Sequence, residues 1–238
     1  MPKPRKNVDL VVPFNNEYSN LQILVPKILK SIKKIKNYKF RLIFIDDGSV
    51  DNSFSVIKKY QKKYKNINLI KNSKKQGQTS CYKLYLKKFN SEFFIRMDSD
   101  NQDNPIHLHK MTKFLTEGYD MILTDRQIRK HSIYMVILTL IYDTLINILI
   151  GKKLKTYSSS LACFKNKSLP FKNLFYNDHR YFPIIAIKNN IKKIKVFPVI
   201  HQSRLHGHTK YGMFKKVLFA FPEFLYFFYR LKINRFKK

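Results

Sequence analysis

The sequence predicts an α/β protein built on a doubly wound, mostly parallel sheet. Short apolar runs of strand type alternate with amphipathic runs of helix type through the first half. Repeated strand–helix–strand units form parallel sheets with helices on both faces. The acid- and Asn-rich stretches "PFNNE", "DDGS" and "DSDNQ" each follow a strand-type run. In sheets of this kind ligands bind beyond the carboxyl ends of the strands.

The elements follow in order. "VDLVVPF" (residues 8–14) reads as a buried strand, and "NLQILVPKILKSIKKIK" as a helix with Leu21, Leu24, Ile28, Ile32 and Ile35 on one face. "FRLIFID" is the second strand, followed by a helix over 51–64 with Asp51 and Ser53 as capping candidates. "NINLIK" and "EFFIRMD" are strands with a helix between them from about residue 76, where Gly77 serves the turn. "NPIHLHKMTKFLTEG" reads as a helix ending at Gly118, and "YDMILTD" as a further strand.

The second half has another character. "IYMVILTLIYDTLINILI" (133–150) has the length of a short membrane span, yet Thr139, Asp143 and Asn147 recur every fourth residue as a polar stripe. An Asp is costly in lipid and both flanks are basic, so an amphipathic helix in the membrane interface is favoured over a core helix or a true span. The aromatic, basic run "MFKKVLFAFPEFLYFFYRLKINRFKK", interrupted by Pro222, reads as a second interfacial segment. Residues 1–130 and 131–238 are thus two halves of one unit.

Lys and Arg number 47 against 15 Asp and Glu, a net charge of +32. Such an excess favours an anionic partner: nucleic acid, an acidic membrane surface or a phosphorylated substrate. A chain rich in Lys, Asn, Ile, Phe and Tyr also carries the stamp of an AT-rich genome, which inflates Lys without functional demand. The basic residues are spread throughout and match no nucleic-acid-binding motif, so no specific nucleic-acid partner is expected. Cys81 and Cys163 lie far apart, which argues against a disulfide scaffold and for a reducing compartment. The opening "MPKPRKNVDLVVPF" has no apolar run of signal-peptide length, so this end is expected on the cytoplasmic side.

In a chain so short of acid, Asp98, Asp100 and Asp103 fall within six residues, in "FIRMDSDNQDNP". Asp-x-Asp after a strand suits a divalent cation, because Mg²⁺ and Mn²⁺ prefer oxygen and Mg²⁺ is commonly held by one or two carboxylates plus substrate phosphates. Asn101 and Asn104 could supply the turn that lets the two side chains converge, and Gln102 a further carbonyl. "DDGSVDNS" places Asp46 and Asp47 at another strand end, where Gly48 permits the turn and Ser49 or Asp51 can cap the next helix. His107 and His109, two apart on a helix, face different ways and make a poor metal pair. His206 and His208 flank Gly207 in a basic loop, open to phosphate contact or to simple solvation. Neither a GxGxxG nor a Walker sequence is present.

Taken in order, "VVPFNNE", "IDDGSVDNS", "MDSDNQDNP" and "RLHGHTKYG" resemble the family-2 glycosyltransferases of GT-A fold, and most of all the dolichyl- and polyprenyl-phosphate sugar transferases. The resemblance covers residues 8 to about 212. It implies that Pro13, Asn15 and Glu17 line a nucleotide-sugar pocket and that Asp46 and Asp47 lie near base and ribose. It implies that Asp98, Ser99, Asp100 and Gln102 form the diphosphate motif, with Asp98, Asp100 and Gln102 on the metal. Arg126 matches a phosphate-contacting arginine, and Arg129 and Ser132 follow it toward the acceptor. Arg204 and Lys210 match the "R-x-x-G-x-S-K" element, with Thr209 for its Ser, and join Asp100 as catalytic groups. Departures fall on the acceptor side: Thr124 and Asp125 replace a Gly-Ser pair, Cys163 a Gly, and Ser158, Ser159 and Ser160 stand where many relatives carry an Asp.

The implied chemistry is transfer of a hexose from a nucleotide-diphosphate sugar to a polyprenyl phosphate at the cytoplasmic membrane face. Mg²⁺ or Mn²⁺, Arg204 and Lys210 would stabilise charge growing on the leaving diphosphate. A lipid phosphate is already ionised and needs no strong base. A sugar hydroxyl, as in polysaccharide synthesis, would need a carboxylate, and Asp103 is the nearest candidate.

Overall fold

The computed structural model describes residues 6–126, 140, 141, 144, 146–148, 150, 151, 154, 159–200, 213–233, 235 and 236. The strands are β1 (Lys6–Phe14), β2 (Tyr38–Asp46), β3 (Ile67–Lys71), β4 (Phe93–Arg96), β5 (Met121–Arg126), β6 (Ala162–Lys165) and β7 (Ile194–Val199). The helices are α1 (Tyr18–Lys33), α2 (Ser53–Lys63), α3 (Gln78–Lys88), α4 (His107–Thr116), α5 (Phe182–Lys188) and α6 (Met213–Lys232). One seven-stranded sheet runs in the order β3-β2-β1-β4-β6-β5-β7. Every pairing is parallel except those of β6, which is antiparallel to both β4 and β5.

Strand alternation sorts the apolar side chains onto two faces. Val8, Leu10, Val12, Leu42, Phe44 and Ile95 pack with α1, α2 and α4. Val11, Ile43, Ile45, Phe94 and Leu123 pack with α3, α5 and α6. With both faces covered, the central strands become nearly continuous apolar runs, which is the pattern that identifies them in the sequence. Pro13 lies beyond the last β1–β4 pair, Val11 with Arg96, so its missing N–H removes no bond toward β4.

The second half departs from the expectation. Residues 162–165 and 194–199 are strands of the same sheet; the sequence reading contains neither. Pro222 does not interrupt its run, since α6 continues through it. The carboxyl-terminal part of α6 is held in the core by Phe227 and Leu231, with Phe236 just beyond, and Tyr181 stacks on Phe227 at 4.0 Å between centroids. Arg230, one of the basic residues of this run, is not at an interface but buried in a two-point ion pair with Asp178, at 3.0 and 2.9 Å. In the 133–150 run, Asn147 of the polar stripe bonds both ways to the backbone of Leu154, Ile146 is buried, and Leu140, Ile141 and Ile148 are exposed. Thr139 and Asp143 lie outside the described residues. Among the described residues, no helix is long and apolar enough to cross a membrane.

Candidate active site

The carboxyl ends of β1, β2, β4 and β5 converge on one edge, and β6, running the other way, adds its amino end there. The loops after β1 and β2 are laced together. Asn16 accepts from the Val50 amide at 2.9 Å, the Glu17 amide donates to Ser53 Oγ at 2.8 Å, and Asp51 accepts from Tyr18 and Ser53 amides at 3.2 and 3.0 Å. Asp51 thus meets the start of α2, as the sequence implied, and also ties it to α1.

Asp47 organises the next loop. Its carboxylate accepts the Gln76 and Gly77 amides, both at 2.8 Å, and Asn72 Nδ2 at 3.1 Å, while Asn15 donates to its carbonyl at 2.9 Å. The amide end of α3 is therefore turned toward a protein carboxylate. Gly48 allows this approach. Its φ is +71°, and a Cβ there would come within 2.6 Å of the Lys75 nitrogen, so any side chain would push the loop away. Asp46 accepts from the Ser49 amide at 2.8 Å through Oδ1; its Oδ2 is buried and has no partner among the described residues.

The Asp-x-Asp turn is built as its Asn content implied. Asn101 takes φ +61°, a left-handed conformation that Asn tolerates, and its amide donates to the carbonyl and the side-chain oxygen of Asn20 at 2.9 and 3.1 Å. Asn20 in turn donates to Glu17 at 2.6 Å, which joins the first motif to the third. Asn104 Oδ1 accepts from the Ile106 amide at the start of α4. The Gln102 amide donates to Asp100 at 3.2 Å, and Gln78 reaches Asp98 at 3.3 Å. Ser99 and Asp100 are buried, Asp98 and Gln102 half-buried. Burial first, and then the nearby Asp100 and Asp103 charges, push the Asp98 carboxyl up to about 6, against the opposing pull of Arg96 and Arg126. Carboxylates that repel one another at a strand end, with oxygen as the only donor type, fit a hard divalent cation. His107 and His109 do face different ways: His107 is half-buried beside Phe197 and His109 is exposed.

Arg126, Thr124, Ser159 and Ser160, expected on the acceptor side, meet at the amino end of β6. Arg126 donates to Ser160 Oγ, and Ser160 donates to Asp103 at 2.5 Å. Thr124 clips this segment to β5: its amide donates to Ser159 Oγ at 2.9 Å and its hydroxyl to the Leu161 carbonyl at 2.9 Å. Arg129, Ser132, Arg204, Lys210, His206 and His208 lie outside the described residues.

Two groups at this edge are absent from the sequence reading. Arg96, the lone cation of β4, is buried and donates to the carbonyls of Ser159 and His179. His179 Nδ1 is 2.9 Å from Thr79 Oγ1, which itself accepts the His179 amide at 3.2 Å. A neutral imidazole keeps this contact in either tautomer, because the Thr79 hydroxyl can donate to Nδ1 or accept from it. Burial, with Arg96 and Arg180 adding, drives this imidazole well below its usual 6.5. The unfolded chain takes up a proton as pH falls through 6.5 while the folded ring does not, so His179 stabilises the fold above 6.5 and that contribution is lost on acidification. From pH 7.5 to 5.5 the loss is about 1.4 kcal/mol. Asp98 opposes it, since a raised carboxyl stabilises the fold at the lower pH. The wild type minus a His179→Gln variant isolates the histidine: that difference in unfolding free energy should shrink by this amount between the two pH values, and a constant difference would contradict the neutral ring.

A sheet with one reversed strand and acid-rich loops on a single edge defines the class: the fold of nucleotide-sugar-binding glycosyltransferases. The model of the family "Glycosyl transferase family 2" matches residues 9–174, and the chain belongs to this family. Among curated relatives, the undecaprenyl-phosphate 4-deoxy-4-formamido-L-arabinose transferases of Photorhabdus laumondii and Proteus mirabilis are each 26% identical, over 213 and 212 residues. The matches cover 89% and 88% of this chain but only 65% and 64% of those proteins. Two solved structures share the fold. A mannosyltransferase from Pyrobaculum calidifontis in complex with GDP-Man and Mn²⁺ has a TM-score of 0.61 at 15% identity, over 87% of this chain and 59% of that one. Glucosyl-3-phosphoglycerate synthase from Mycobacterium tuberculosis, with Mn²⁺, UDP and phosphoglyceric acid, has a TM-score of 0.66 at 14% identity, over 85% and 72%.

Proposed function

We propose that this chain transfers a sugar from a nucleotide-diphosphate sugar to a polyprenyl phosphate at the cytoplasmic face of a membrane. The observation that carries the acceptor is the state of Asp103. It is 3% exposed and receives the Ser160 hydroxyl, a poor setting for the base that a sugar hydroxyl requires. An ionised phosphate needs no such base. It needs cations, and Arg126, fixed through Ser160, has its Nε–H buried without a partner among the described residues. The relatives' name, with its undecaprenyl-phosphate acceptor, supports the same reading.

On the donor side, the unpartnered Asp46 oxygen suits an N–H of a base, with Asn15, Glu17 and Pro13 on the adjoining strand end. Asp98 and Asp100, with Gln102 beside them, would hold Mg²⁺ or Mn²⁺, which when bound neutralises the diphosphate as it leaves. Arg204 and Lys210 remain the expected partners of that growing charge. Asp47 supports the pocket indirectly, by holding the 72–77 loop.

The acceptor assignment is tested by substituting Arg126. A charge-assisted hydrogen bond contributes roughly 1.5–3 kcal/mol, so Arg126→Ala should raise the KM for polyprenyl phosphate by about ten- to a hundredfold. The KM for nucleotide sugar should change little. Equal losses for donor and acceptor would overturn the assignment.

For membrane contact, the outward faces point to Leu225, Tyr226, Tyr229 and Ile233 on and after α6, with Phe175 and Tyr176 also exposed. Tyr and aliphatic residues edged by Lys suit a headgroup boundary, and each Lys near an anionic leaflet contributes about 1 kcal/mol. The protein should sediment with anionic liposomes and be partly released by high salt. Tyr226→Asp combined with Tyr229→Asp should abolish sedimentation, and unchanged binding of that variant would remove this face from the account.

A further inference from the structure

Arg96 is a cation buried at the end of β4. Its guanidinium carbon lies over the rings of Phe164 and Phe182, 5.5 and 5.8 Å from their centroids. The residue is 5% exposed. Among the described residues no carboxylate pairs with it, and its Nε–H has no partner. A buried cation that feels Asp98 and Asp103 only at a distance, with no direct carboxylate contact among the described residues, is expensive.

What the cation does is join segments distant in sequence. One Nη donates to the carbonyl of Ser159 and the other to that of His179. Ser159 begins the stretch that carries Ser160, hence Arg126 and Asp103. His179 belongs to the turn Asp178–Tyr181 that leads into α5 and is latched to α3 through Thr79. Both carbonyls are thereby fixed to β4 two residues ahead of Asp98. An aliphatic side chain would leave both carbonyls without this donor. A lysine could satisfy one, because its ammonium lacks the planar fork that reaches two.

We propose that Arg96 is a positioning residue that docks the acceptor-side segments 159–161 and 178–181 against the metal-binding strand. The acceptor label rests on the functional reading above, whereas the docking does not.

The test uses the full chain with Arg96→Lys and Arg96→Met. Hydrogen exchange read on peptides spanning 159–161 and 178–181 should accelerate by about ten- to a hundredfold in Arg96→Met, and by less in Arg96→Lys. Exchange in β1 and β2 should stay unchanged. Mn²⁺-dependent binding of UDP or GDP should remain within about threefold, while the KM for polyprenyl phosphate rises by at least about tenfold. Unchanged exchange in both segments would overturn the proposal, as would acceleration spread evenly over all strands. Should Arg96→Met fail to fold, Arg96→Lys decides by the same two criteria. If neither nucleotide binds the wild type, the functional reading fails, and the exchange data still decide the docking.

Discussion

Asp100→Asn is expected to lower sugar transfer by about a hundred- to a thousandfold, the range seen when one preorganised electrostatic group is removed from a transition state. The fold should survive. Asp100 accepts the Gln102 amide through one oxygen, and the carboxamide oxygen of Asn can keep that bond. What it loses is the charge that would share a cation with Asp98 in the proposed function. The accompanying signature is a weakened Mn²⁺ requirement curve with unchanged melting, read by titrating the metal against turnover. Full wild-type activity in excess chelator would remove the metal role from both aspartates.

The largest effect on stability is expected at Arg230. Its guanidinium meets both oxygens of Asp178 and the carbonyl of Asn173 at 2.7 Å, and side-chain exposure is 6% for Arg230 and 2% for Asp178. Burial already pushes the Asp178 carboxyl up in spite of this partner. Arg230→Ala leaves a buried carboxylate facing apolar rings, a change that costs about 3–5 kcal/mol. In a chain of this size each kcal/mol lowers Tm by about 2–4 °C, so a drop of roughly 6–20 °C should appear in calorimetry. The double variant Asp178→Asn with Arg230→Met should recover part of that loss, because it removes the stranded charge. A double variant as unstable as the single would show that packing, not the ion pair, holds α6 to the core. The effect reaches the site through the chain itself, since Asp178 adjoins the His179 carbonyl that Arg96 holds.

Much of this architecture can be read from the sequence, and the boundary has a physical cause. β1, β2 and their helices announce themselves because a parallel strand covered on both faces needs an unbroken apolar run, and α1 needs Leu21, Leu24 and Ile28 on one side. β6 offers only "ACFK", four residues long and antiparallel, too short for any period to register. β7 hides behind Pro198, which an edge strand tolerates. The same division holds in the site. Asp98, Asp100 and the turn at Asn101 are local, so the turn can be read from the spacing, whereas the cation role comes from the resemblance of the four motifs taken together. The Arg96 contacts cross 63 and 83 residues and depend on β6 entering the sheet beside β4. One signal was available: an arginine inside "FFIRM" has no reason to be in a buried strand unless something there needs its donors. The tail misled for the converse reason. "LYFFYRLK" reads as aromatic and basic throughout, and only the fold separates inward Phe227 and Arg230 from outward Tyr226 and Tyr229.

The chemical nature of the acceptor separates the two branches of this chemistry, and the mass of the product reads it. Purified protein with Mn²⁺ and a panel of nucleotide sugars should convert polyprenyl phosphate to a lipid heavier by one sugar residue, with the nucleoside diphosphate released in equal amount. Transfer to soluble sugar hydroxyls with the polyprenyl phosphate unchanged would contradict it, and would require a base other than the buried Asp103.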